Sequence, residues 1–204
     1  GPTHEPVEHE AQIRLMEHLH NHSGKRSMLV LRPADSEETV AAWKMALEET
    51  RPVALILSRQ NIKSLPAVSG KSRREEAMQA ERGGYVVLEN KDAKVTLIAT
   101  GSEVSTLVEG AELLAAEGIA TRVVSIPSEG LFRDQPKEYQ TEVLGTLPRY
   151  GMTSGLSLNL RGLVGEEGFI HGFDHFGYSA PFKVLDEKFG YNGKTVAEEV
   201  KSLL

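Results

Sequence analysis

Arg59 is the first residue whose type and place suggest chemistry. It follows the apolar run Val53-Ala54-Leu55-Ile56-Leu57 directly, within Ser58-Arg59-Gln60-Asn61. The carboxyl ends of strands are where open parallel sheets bind ligands. A guanidinium there offers a planar fork of donors that matches phosphate or carboxylate oxygens. An arginine that pairs with a surface acid fits the same position, and position alone leaves both readings open. His4 follows Gly1-Pro2-Thr3 in a segment expected to be loop. Its imidazole could donate to a substrate hydroxyl or move a proton near neutral pH, or it could be a solvated terminal residue.

Three further groupings carry weaker signals. His18, His20 and His22 alternate along the chain, but residues two apart do not share a helix face, and no acid or thiol cluster adjoins them, so a solvated helix end is expected rather than a metal site. Ala99-Thr100-Gly101-Ser102-Glu103-Val104 has the order strand, glycine, helix that can cradle an anion. It lacks both the three-glycine dinucleotide pattern and the P-loop lysine, which favours a packing role for Gly101. Asp174 and His175 are adjacent after a strand and are expected to point apart.

The elements that must hold these residues follow from periodicity. Val7, Ala11, Leu15, Met16 and Leu19 recur every three or four positions and predict an amphipathic helix from Val7 to His20. Met28–Leu31 reads as a short buried strand. A helix from Glu37 to Glu49 is expected next, with Ser36 as its cap and Val40, Trp43, Met45 or Ala46, and Leu47 as its inward stripe. Arg51-Pro52 ends it before the apolar run 53–57. Strand, helix, strand is the parallel crossover unit. The polar stretch Ser58–Arg82 reads as a connection. Beyond it, strands are expected at 85–89, 94–99, 121–126 and 169–173. Helices are expected after Thr100-Gly101-Ser102 as far as Gly118, at 137–144, at 181–189 and from Thr195 to Leu204, the last capped at Thr195. Arg149–Gly165 carries no clear pattern.

Composition limits the function. The 204 residues carry a formal charge of -6, which argues against a general nucleic-acid binder while leaving room for a local phosphate pocket. No apolar run approaches the ~20 residues that a helical membrane span needs. The absence of cysteine excludes disulfides, thiolate metal sites and a cysteine nucleophile. The start lacks the charged and apolar regions of a secretory signal, so a cytoplasmic location is expected. Gly1 is not an initiator methionine, which is expected of a piece of a longer protein.

Six segments, in order, resemble the transketolase family: Gly1-Pro2-Thr3-His4-Glu5-Pro6-Val7-Glu8, Leu31-Arg32-Pro33-Ala34-Asp35, Leu57-Ser58-Arg59-Gln60-Asn61, Ile98-Ala99-Thr100-Gly101-Ser102-Glu103-Val104, Val124-Ser125-Ile126-Pro127-Ser128 and Phe176-Gly177-Tyr178-Ser179-Ala180-Pro181. Other thiamine-diphosphate enzymes, such as deoxyxylulose-phosphate synthase and the dehydrogenase β subunits, share the architecture but fit the first three segments less well. The resemblance implies an α/β chain: a partial parallel-sheet pyrimidine-binding domain at 1–70, a linker at 71–83, and a three-layer, Rossmann-like transketolase C-terminal domain at 84–204. It further implies a homodimeric parent that uses thiamine diphosphate with Mg2+ or Ca2+ to transfer a two-carbon ketol unit between sugar phosphates of the pentose phosphate pathway.

By the same resemblance, His4 matches the histidine that contacts substrate hydroxyls and Arg59 the arginine that grips the substrate phosphate. The activating glutamate, the aromatic residues around the cofactor ring and the pyrophosphate and metal domain would lie upstream of Gly1. No catalytic, cofactor-binding or metal-binding residue is therefore expected within the chain. Alone it is expected to be inactive and to need the missing N-terminal portion as partner, with no nucleic acid or membrane among its partners. The alternatives are a subunit of a split thiamine-diphosphate enzyme and a non-catalytic dimerisation or binding module. Three positions depart from the family pattern: Glu129-Gly130 replaces a tryptophan and a glutamate, Tyr150–Leu163 a more regular strand and helix, and His175 an arginine.

Overall fold

A computed structural model describes residues 7–204. Two sheets form. In the first, β1 (Leu29–Leu31) and β2 (Val53–Leu55) run parallel, with Leu29 opposite Val53 and Leu31 opposite Leu55, joined by helix α2 (Ser36–Glu48). The expected crossover is present. Its helix is capped one residue earlier than the sequence suggests, because the Asp35 carboxylate accepts the Glu38 amide at 2.8 Å. The edge of β1 remote from β2 is closed by Glu17, whose carboxylate accepts the Val30 amide at 3.2 Å, and by Pro127, whose carbonyl accepts the Arg32 amide at 2.8 Å. No strand among the described residues pairs with the other edge of β2.

Both helices of this first region reverse the expected faces. On α1 (His9–His18) the buried residues are Arg14 and Glu17, while Leu15 and Met16, with Leu19 just beyond, are exposed. On α2 the buried residues are Glu38, Ala41 and Ala42, while Val40, Trp43 and Leu47 face outward. At 100° per residue, Val40, Trp43 and Leu47 lie opposite the inward stripe, so α2 is apolar on both sides. The sequence shows one apolar stripe clearly, the outer one. The small alanines, Ala42 against Leu29 and Leu31 and Ala41 in the core of the second sheet, are the weaker signal and the true inward face.

The second sheet has the order β3-β5-β4-β6-β7, comprising β3 (Tyr85–Glu89), β5 (Thr121–Ser125), β4 (Val95–Ala99), β6 (Arg149–Met152) and β7 (Phe169–His171). All pairings are parallel except β3 with β5. Side-chain alternation sends Leu97 and Val123 to one face and Ile98 and Val124 to the other. α4 (Glu103–Ala116) and α9 (Gly193–Leu203) cover the first face through Leu107, Leu114, Val196 and Val200. α5 (Glu129–Arg133), α6 (Lys137–Leu144) and α7 (Leu158–Val164) cover the other through Phe132, Val143 and Leu160. This is the three-layer arrangement that the family resemblance implies.

The segment 149–165, which shows no clear pattern in sequence, folds as β6 and α7 and so retains a strand and a helix. In the polar stretch, Ser72 and Glu75 form a capping box that starts α3 (Arg73–Ala77), continued by a 3-10 turn at Met78–Arg82, and both pack on α2. α8 (Phe182–Phe189) buries none of its residues, and α9 is capped by Asn192, which accepts the Thr195 amide at 2.9 Å. Gly130 abuts the buried Glu17: a Cβ there would meet Glu17 Oε1 at 2.3 Å, which accounts for glycine at one of the departures from the family pattern.

Candidate functional site

Arg59 stands in the loop that leaves the carboxyl end of β2 and is exposed. The loop is held at both ends: the Ile56 amide donates to the Leu31 carbonyl at 2.8 Å, and the Leu65 amide donates to Asp35 Oδ2 at 3.0 Å. Among the described residues no carboxylate lies within ion-pair distance of the Arg59 guanidinium. A loop tied at its two ends therefore presents a cation that no described carboxylate pairs, beyond the carboxyl end of a parallel pair. His4 lies outside the described residues, so its distance to Arg59 is not part of this geometry.

The anchor at Asp35 belongs to a buried polar junction. Asp35 Oδ2 also accepts from Arg73 Nε at 2.8 Å, Arg73 Nη2 donates to the Tyr85 hydroxyl at 2.7 Å, and that hydroxyl donates to Glu38 Oε1 at 2.6 Å. Glu38 Oε2 accepts the Ala34 amide at 2.8 Å. Burial raises the Glu38 carboxyl above the usual carboxylate range despite these donors. Four polar side chains thus fasten β1, α2, the Arg59 loop, α3 and β3 to one another. The sequence signal for them was an acid-rich helix start and a charge run, which ordinarily mark solvated surface.

A second junction fills the turn after β4. Gly101 has φ +67, and a Cβ on it would lie 2.7 Å from Arg32 Nε, so the glycine admits the arginine rather than a phosphate. Arg32 is buried, pairs with Glu103 at 2.7 Å and Glu10 at 3.5 Å, and donates to the Thr100 carbonyl at 3.1 Å and Ser154 Oγ at 2.9 Å. Burial works to lower its pKa, but the two carboxylates outweigh burial and raise it. The packing role expected for Gly101 is what the geometry gives, and the carboxyl rim of the second sheet is closed by a side chain from the first.

The remaining candidates separate. Asp174 accepts from the Ser157 amide at 2.9 Å, while the His175 ring faces the Phe176 carbonyl at 2.9 Å, so the two do not form a pair. His18, His20 and His22 are not gathered into a metal-ligand group, nor is any other set of three acids and histidines among the described residues. Sequence reading missed His171, whose Nδ1 lies 3.0 Å from Glu199 Oε1 and whose Nε2 lies 2.9 Å from the Phe189 carbonyl. The available hint was Glu199 falling beside Val196 and Val200 on the inward stripe of α9. Two surface depressions, about 640 Å³ beside Tyr178 and Phe189 and about 390 Å³ beside Arg26 and Arg51, do not include Arg59. No helix among the described residues is long and apolar enough to cross a membrane.

Comparison with known proteins accords with this layout. Residues 83–192 match the transketolase-like TK C-terminal domain, and residues 1–64 match the transketolase pyrimidine-binding domain. The transketolase of Geobacillus stearothermophilus is 42% identical over the whole chain, and that of Cereibacter sphaeroides 41% identical over 98% of it. The chain spans 29% of the length of each. The crystal structure of Campylobacter jejuni transketolase superposes with a TM-score of 0.82 at 33% identity, over 99% of this chain and 29% of that one. A split-gene transketolase described as an inactive beta4 tetramer superposes with a TM-score of 0.73 at 26% identity, over all of this chain and 63% of its own.

Proposed function

This chain belongs to the transketolase family and matches the C-terminal part of its members, and from that premise we propose that it serves a parent enzyme that moves a two-carbon ketol unit between sugar phosphates in the cytoplasm. Within the chain, residues 1–70 act as the end of a pyrimidine-binding domain and 84–204 as the C-terminal domain, joined through 71–83. Arg59 is the anchor for the substrate phosphate and His4 the contact to substrate hydroxyls. The observation that carries this reading is the exposed Arg59 guanidinium on a loop tied down at Ile56 and Leu65, with no described carboxylate to neutralise it.

The described residues do not fit the metal-pyrophosphate end of thiamine diphosphate with its Mg2+ or Ca2+. A metal-pyrophosphate end needs gathered oxygen ligands, and no such group forms among them. The one glycine turn of suitable order is filled by Arg32. Cofactor chemistry in the parent is therefore assigned to residues other than these, and the chain's own part is to hold and orient the phosphorylated end of the sugar. The outward apolar faces of α1 and α2 and the edge of β2 that no described strand pairs support a partner layer supplied by the N-terminal portion of the enzyme, in a homodimeric parent.

Incubating the chain with xylulose 5-phosphate, ribose 5-phosphate, thiamine diphosphate and Mg2+ is expected to give no ketol transfer, and turnover would overturn the assignment of the missing functions. In the intact parent, Arg59→Ala is expected to raise KM for phosphorylated sugars by about tenfold or more with kcat little changed, since a remote anchor binds ground and transition states alike. A large fall in kcat at constant KM would contradict it. The split-gene neighbour favours a second reading, in which this chain is one subunit of a two-chain enzyme. Activity that appears on mixing with a separately made N-terminal portion would support that reading.

A further inference from the structure

His171, the last residue of β7, sits between two acceptors on opposite sides of its ring. Nδ1 lies 3.0 and 3.1 Å from the two carboxylate oxygens of Glu199 on α9, and Nε2 lies 2.9 Å from the carbonyl of Phe189, the last residue of α8. A neutral imidazole carries one N–H, so either tautomer would turn a lone pair toward one of these acceptors. Only the imidazolium satisfies both, and the carbonyl end of a helix is where a cation is favoured. Glu199 is itself held in place, since the Tyr150 hydroxyl of β6 donates to its Oε2 at 2.7 Å. Gly190, with φ +77, lets the chain pass His171 closely, for a Cβ there would lie 3.2 Å from the ring.

We propose that His171 and Glu199 form a proton-operated latch that fastens the end of α8 and the turn into α9 to the carboxyl edge of β7. α8 buries none of its own residues, so its attachment rests on this contact together with the packing of Phe189 on Phe173, His175 and Tyr178, with ring centroids 4.7, 5.3 and 5.7 Å away. The other titratable groups that face the latch are Tyr150 from β6, Tyr191 from the 190–192 turn, whose ring meets His171 edge-on at 5.0 Å and whose hydroxyl donates to the Thr153 carbonyl at 2.8 Å, His175, whose ring lies 4.3 Å from Phe173 and 5.3 Å from Phe189, and Lys188 of α8, over the Phe189 ring. Beyond Tyr191 stand Glu103 of α4, Arg32 and Asp174. On α8, Asp186 is raised by burial and by Glu103.

The signs agree with the geometry. Burial would lower the His171 pKa, but Glu199 and the Phe189 carbonyl outweigh it and hold the pKa above 6.5. Burial would raise Glu199, but His171 and Tyr150 outweigh it and hold the carboxyl below 4.5. The histidine contribution is fully present below pH 6.5 and is lost as pH rises through its raised pKa. The glutamate contribution is present above pH 4.5 and is lost as pH falls through its lowered one. The latch is therefore fully closed between those two limits.

Hydrogen exchange of the 204-residue chain tests this, with rates corrected for the intrinsic effect of pH, alongside an NMR titration of the His171 ring. Protection of the amides in 182–192 is expected to fall about tenfold from about pH 6 to about pH 9 in the native sequence. It should become independent of pH in His171→Gln, while Glu199→Gln moves the ring's midpoint down toward that of exposed histidines. Flat protection in the native sequence, a native pH dependence retained in His171→Gln, or a ring midpoint at or below the exposed histidines would each overturn the latch. If His171→Gln does not fold, the native titration and Glu199→Gln decide.

Discussion

The two sheets treat apolar residues in opposite ways. Around β3–β7, α4 turns Val104, Leu107, Ala111 and Leu114 inward, and helices cover both faces of the sheet. Around β1–β2, α1 and α2 bury Arg14, Glu17 and Glu38 while Leu15, Trp43 and Leu47 face outward, and no described strand pairs with the far edge of β2. Parallel sheets are stable when both faces are covered and their edges are closed. The second region meets that condition with its own residues. The first meets it on one side by leaning on the second through charged side chains, and its other side is not covered by described residues.

That contrast predicts where the chain is most easily broken. The largest effect is expected at Arg32, because Arg32→Ala leaves Glu103 and Glu10 buried beside an empty space. Loss of one partner from such a cluster costs about 3–5 kcal/mol. Urea unfolding should show the midpoint drop and the first region melting before the second. A single transition at the native midpoint would mean that the guanidinium is not what joins them. Leu114→Ala, in the closed region, is expected to cost about 2–5 kcal/mol through the cavity it opens, as Leu114 is fully buried on α4. Its cost should appear in the later-melting transition.

Tyr85→Phe sharpens the comparison at the other junction. The hydroxyl donates to Glu38 and accepts from Arg73, and without it a buried carboxyl loses a donor, at a cost of about 1–3 kcal/mol. Because burial already raises the Glu38 pKa, the variant should raise it further, and the carboxyl would take up a proton at higher pH than in the native chain. A stability unchanged from native would show that Arg73 and Asp35 hold the junction without the hydroxyl.

How far all this was legible depends on the range of the interaction. Val95–Ala99 and Thr121–Ser125 were readable as strands because a buried parallel strand is largely a run of apolar residues, a local property, while of the apolar run 53–57 only Val53–Leu55 forms a strand. The family segments were readable for the same reason, and Arg59, expected directly after a strand, stands instead within the loop that follows Leu55. The faces of α1 and α2 were not, since a helix apolar on its outer side looks in sequence like one apolar on its inner side. Arg32 in the Gly101 turn and His171 against Glu199 join residues 69 and 28 positions apart, and neither partner carries a mark of the other. Segment 149–165 hid a strand in Arg149-Tyr150-Gly151-Met152, where a glycine sits among the apolar positions.

The smallest effect in the isolated chain is the most informative one. Leu47 lies on the outer stripe of α2 and is 81% exposed, so Leu47→Ala removes little contact and should change stability by about 0.5 kcal/mol or less. The same substitution type at Leu114 costs several times more, although both leucines sit on crossover helices beside parallel strands. If the outer stripe is a docking face for the N-terminal portion of the enzyme, the order changes in the assembled protein. There Leu47→Ala, and Trp43→Ala beside it, should weaken association by about 1–3 kcal/mol each, the scale of burying such side chains. Titration of the two portions against each other, with and without these substitutions, reads that directly. Native affinity in both variants would leave α2 apolar on its outer side without a partner there, and the asymmetry between the two sheets would need another cause.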